Sequence, residues 1–128
     1  MPTFPVVTGD VLTSTIFNGL PAFTVQTAKT ADYTAASGDE YQQLIPMNKA
    51  TAVAFKIPTD ATYNFPIGTV ITVLNIGAGT CTISATTSAT TTILSAGNVT
   101  AQPTLAQYKS AACIKTAANA WYVVGAIA

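Results

Sequence analysis

The chain contains no histidine and no arginine, and its 128 residues include only five lysines and five acids. Histidine is the side chain most used for proton transfer near neutral pH and the usual partner of a nucleophilic serine or cysteine. Its absence also removes the common zinc-binding sets, since two cysteines cannot supply four ligands. A formal net charge of zero leaves no basic footprint for a phosphate backbone, so no nucleic-acid partner is expected. The five acids are scattered, and the one adjacent pair, Asp39-Glu40, follows Gly38 and reads as a solvated turn. Opposed carboxylates of the kind a glycosidase needs are not expected. The Gly77-Ala78-Gly79 segment has no Gly-Lys-Thr after it, so it is not a phosphate loop. The composition therefore predicts no catalytic residue, no metal site and no cofactor.

Long apolar runs are missing too. Thr, Asn or Gly interrupts every stretch well before the roughly 20 residues of a membrane span, so no membrane partner is expected. The opening Met1-Pro2-Thr3-Phe4-Pro5 has neither a basic start nor an apolar core. A secretion signal is not expected there, and synthesis in a cytoplasm is.

What remains is apolar and weakly polar. Hydrophobic residues make up 49% of the chain and charged residues 8%, against about 25% charged in an average domain. The surface must be built from Thr, Ser, Ala, Asn and Gln, with no net charge to oppose self-association. The length suits one domain.

Turn signals and period-two alternation dominate from Ala22 onward. Phe23–Thr27, Asp32–Ala35 and Tyr41–Met47 read as strands, the last ending near Pro46. Val53, Phe55 and Ile57 share one face, and Pro58 stops that strand. Val70-Ile71-Thr72-Val73-Leu74 is dense enough for a strand packed on both faces, and Cys81, Ile83 and Ala85 alternate with Thr80, Thr82 and Ser84. These two segments are expected to form a hairpin through Gly77-Ala78-Gly79, with glycine supplying positive φ. Thr86–Thr92 favours extended structure, and a turn is expected at Ala96-Gly97-Asn98. Tyr108, Ala112 and Ile114 share a face, and Trp121–Gly125 is a strong last strand after the Ala117-Ala118-Asn119 turn. About eight short strands predict an all-β domain over residues 23–128, a β-sandwich or jelly-roll-like barrel. Trp121 and Phe55 are expected in its core, and Cys81 and Cys113 as small buried thiols.

Residues 1–22 read differently, as an extended N-terminal arm. Pro2, Pro5 and Pro21 flank a segment in which Thr13 or Ser14 could cap one or two helical turns ending at Gly19. Its apolar side chains (Phe4, Val6, Val7, Val11, Leu12, Ile16, Phe17 and Leu20) are too many for a free tail and are assigned to contacts with a partner protein or another subunit. Tyr63, Asn64 and Phe65, between strands, are the expected exposed contact loop.

The chain carries, in order, Tyr33 through Met47, Val53-Ala54-Phe55-Lys56-Ile57-Pro58 and Phe65-Pro66-Ile67-Gly68-Thr69 leading to Gly77-Ala78-Gly79, then Tyr108, Ile114-Lys115 and Trp121-Tyr122-Val123-Val124-Gly125. These ordered motifs resemble a β-domain that recurs in tailed-bacteriophage virion proteins. The resemblance covers about residues 23–126. Gly9-Asp10-Val11-Leu12-Thr13, followed by Asn18, is similar to the opening of phage tail-fibre and head-appendage proteins. The resemblance implies a non-enzymatic, usually trimeric module on the virion surface. Because the domain stands almost alone here, a capsid decoration (cement) protein that binds and stabilises the outer capsid surface is favoured, with the major capsid protein or another virion protein as partner. The alternative is a short tail-fibre, spike or baseplate protein that binds a host receptor, with a glycan among the candidates.

Overall fold

The computed structural model describes residues 25–41, 44–95 and 102–127. These residues form nine short strands and no helix. The strands are β1 (Tyr33–Thr34), β2 (Leu44–Met47), β3 (Val53–Ile57), β4 (Val70–Asn75), β5 (Cys81–Ala85), β6 (Thr92–Ser95), β7 (Thr104–Leu105), β8 (Lys109–Ala117) and β9 (Ala120–Gly125). They build two mixed sheets, a four-stranded β1-β3-β5-β7 and a five-stranded β2-β4-β8-β9-β6. The expected all-β, sandwich-like architecture is what forms. The arm assigned to residues 1–22 and the turn at Ala96-Gly97-Asn98 lie outside the described residues.

Alternation predicts the inward faces well. Val53, Phe55 and Ile57 of β3 and Ile71 and Val73 of β4 are buried, as are Trp121 and Val123 of β9. They join Ile45, Met47, Ile83 and Leu105 in one core shared by both sheets. Cys81 and Cys113 are free and buried in that core. Burial pushes the Cys81 thiol up to about 11 and the Cys113 thiol up to about 12.

Strand pairing overturns the expected hairpin. β4 pairs with β2 and β8, whereas β5 pairs with β3 and β7 in the other sheet. Residues 76–80 therefore cross from one sheet to the other as an arch. β2–β4 and β3–β5 are both parallel and share one sequence offset, Leu44 opposite Thr72 and Val53 opposite Cys81. The chain thus winds as a coil, and the second arch stacks on the first, formed by residues 48–52. The Ile76 and Gly77 amides donate to the Met47 carbonyl, Gly79 donates to Lys49, and Val53 donates to Thr80.

This stacking explains the two glycines, neither of which has positive φ. A Cβ on Gly77 would lie 2.3 Å from the backbone nitrogen and oxygen of Lys49, and one on Gly79 would lie 1.9 Å from the Thr51 oxygen. The glycines are required for close approach between coils. Asn75 locks the arch from inside. Its Nδ2 donates to the carbonyls of Gly79 and Leu105, both at 2.8 Å, and its Oδ1 accepts from the Gly77 amide.

Two smaller expectations also change. Thr86–Thr91 turns instead of extending, with the Thr90 and Thr91 amides donating to the Thr87 carbonyl. Among the described residues Tyr41 lies in a turn, and β2 (Leu44–Met47) runs through Pro46, whose carbonyl still accepts from the Lys29 amide. The last turn behaves as expected: β8 and β9 form an antiparallel hairpin, and Asn119 takes φ 50°.

Candidate interaction surface

On β8, Ala111, Cys113 and Lys115 occupy alternate, inward positions, so the parity of the strand drives Lys115 inside. Only 1% of it is exposed. A buried ammonium is tolerated when its three protons are matched. The Lys115 Nζ donates to Asp60 Oδ1 at 2.8 Å, and to Asn64 Oδ1 and the Phe65 carbonyl at 2.7 Å. Asp60 in turn accepts through Oδ2 from the Asn119 amide, while its own amide donates to Asn119 Oδ1. The 58–66 loop is thereby fastened to the β8–β9 turn.

That fastening corrects the expected contact loop. Phe65 is buried, standing edge-on to Trp121 at 5.7 Å and to Tyr63 at 4.5 Å between ring centroids. Tyr63 is half-buried and donates through its hydroxyl to Glu40 Oε2, a bond that raises its pKa. Asn64 is exposed, but its oxygen serves Lys115. The large apolar side chain exposed beside this loop is Ile67, 69% exposed. Tyr41, 61% exposed, lines the same shallow depression together with Glu40, Pro66 and Val70.

The Asp39-Glu40 pair is also not a solvated turn. Asp39 is buried and accepts from Gln26 Nε2, the Tyr33 hydroxyl and the Ala36 amide at 2.7–2.8 Å. Burial, reinforced by the Asp39 carboxylate, pushes the Tyr33 hydroxyl up to about 12. Glu40 accepts from the Gly38 amide through Oε1. Both acids act as staples of the 35–41 turn. Among the described residues, no three Cys, Asp or Glu side chains come together as a metal site.

The two outer faces of the sandwich differ sharply. The four-stranded sheet turns Thr34 and Lys56 outward in one cross-strand row, which ends at the buried Ser84, and Ala54, Thr82 and Thr104 in another. This face is small and polar. The five-stranded sheet turns out Leu94, Tyr122, Ile114 and Val70 in one row, and Val124, Ala112, Thr72 and Leu44 in the next. Among the described outward residues of this sheet none is charged. Tyr122 and Val124 remain 45% and 49% exposed, and Tyr41 and Ile67 lie beside the Val70 end. A sheet normally alternates apolar inward with polar outward. This one is apolar on both faces, as the Val70–Leu74 run foreshadowed. Contiguous exposed apolar patches on proteins are characteristic of interaction surfaces, which makes this face the candidate.

Comparison of the chain with protein-family models, curated proteins and solved structures finds no match.

Proposed function

We propose that this chain is a structural protein of a bacteriophage virion, most specifically a decoration protein that binds the outer capsid surface as a homotrimer. The observation that carries the proposal is the two-sided sandwich, with one outer face apolar and uncharged and the other polar. That division suits a module held between neighbours on one side and facing solvent on the other. The ordered motifs from Tyr33 to Gly125 supply the phage context. The side chains best able to do chemistry also support a non-enzymatic role, because their capacity is spent on structure. Lys115 Nζ has three acceptors, Asp39 has three donors, and both thiols are buried with raised pKa values.

The test is to add purified protein to phage shells stripped of their decoration and to image the complex by electron microscopy. Density repeated over the whole shell is the expected result. Density confined to the tail would replace this function with the receptor-binding alternative, and no density at either place would remove both.

A further inference from the structure

We infer that the outer face of the five-stranded sheet is where copies of this chain meet. This deepens the self-association within the proposed function by assigning it a surface. The two rows centred on Ile114 and Ala112 run continuously across four strands, so the patch is a built feature of the sheet and not a scatter of single side chains. Its lack of charge decides the kind of occupant. A charged partner would gain nothing there and would lose hydration, whereas an identical uncharged face is complementary to it. The chain's net charge of zero removes long-range repulsion between copies.

Size sets the expected strength. Five strands spaced about 4.8 Å apart, each offering about five residues of about 3.4 Å, give a face of about 20 by 17 Å. Three such faces turned toward a common threefold axis, with Tyr41 and Ile67 at their margins, bury on the order of 1,000 Å² in total. That is the scale of a weak, reversible contact. The free chain should therefore associate in a concentration-dependent way, with the complete assembly favoured where copies are held close together.

The test places one reactive thiol on each outer face in turn, which is feasible because Cys81 and Cys113 are buried. Val124→Cys and Thr82→Cys are treated with a short bismaleimide over a range of protein concentrations. Linked chains from Val124→Cys, increasing with concentration, and little linkage from Thr82→Cys are expected. Sedimentation of Tyr122→Lys should show association weakened at least about tenfold, because an unpaired charge would be buried. A native-like circular dichroism spectrum and silent core thiols identify this variant as folded. Equal linkage at both positions, or a monomer at every concentration with Val124→Cys unlinked, overturns the inference. The shell-binding experiment is separate: a chain that binds shells but never links through Val124→Cys loses this surface and keeps its virion role. One that links but binds no shell does the reverse.

Discussion

At the scale of single residues, stability rests on polar groups sealed inside the sandwich and on two hydrogen-sized gaps between coils. Lys115→Met keeps the aliphatic stem but leaves the Phe65 carbonyl and Asp60 Oδ1 without their donor. Removing one partner of a buried pair costs about 3–5 kcal/mol. Urea unfolding should show a loss of that size, and a loss below about 1 kcal/mol would mean that water replaces the ammonium. Gly79→Ala drives a methyl into the Thr51 backbone, which has no flexible side chain to yield. About 3 kcal/mol or more is expected, against less than about 1 kcal/mol for Ala78→Gly on the exposed crest of the same arch. The thiols give a pH signature. Both are raised above the ordinary value of 9.0 in the folded chain, so the unfolded chain loses its thiol protons first. Their contribution is fully present below pH 9 and is lost progressively above it, toward about 11 and 12. Urea midpoints should fall from pH 9 upward, and the fall should be shallower in Cys81→Ala/Cys113→Ala.

At the scale of elements, most strands were legible and their partners were not. Val53, Phe55 and Ile57, or Trp121 and Val123, announce an inward face because alternation is a local property. Whether β4 turns back on β5 or crosses to the other sheet is decided by arches separated along the chain by the same offset as their strands, which no window around Gly77-Ala78-Gly79 contains. Gly-Ala-Gly fits a tight turn with positive φ as well as a close approach between backbones, and the sequence does not separate these causes. The candidate surface was half legible. Val70-Ile71-Thr72-Val73-Leu74 pointed to a two-faced strand, but the cross-strand rows that make a patch depend on pairing. Parity held one unused signal, since Lys115 is in phase with Cys113, expected as a buried thiol, and so had to point inward. Asp39 gave none, because its side-chain donors Gln26 and Tyr33 lie 13 and 6 residues before it and are brought to it only by the folding of the intervening chain. The coil makes a direct prediction for nuclear Overhauser spectroscopy. Backbone cross-peaks should connect Phe55 with Ile83 and Ile45 with Val73, and a ladder joining β4 to β5 would restore the hairpin.

At the scale of the whole molecule, the division of labour between the apolar sheet face and the first 22 residues can be tested. If copies meet through the sheet, contact with the shell must come from elsewhere, and the arm offers eight apolar side chains from Phe4 to Leu20. Burial of even four of them contributes about 6–12 kcal/mol gross, at about 1.5–3 per side chain before ordering entropy is counted. Prolines at 2, 5 and 21 reduce the freedom lost on ordering. On the proposed trimer three such arms would act together, turning modest single contacts into firm attachment through effective concentration. Among the described residues, the buried core runs from Ala35 to Val123 and the strands from Tyr33 to Gly125. A chain lacking residues 1–20 should therefore keep its Phe55–Ile83 cross-peaks and its linkage through Val124→Cys, while losing retention on undecorated shells in a co-sedimentation assay. If the shortened chain is retained as tightly as the full one, the shell contact belongs to the β-domain. The polar face around Lys56 and Thr82 is then the surface to vary next.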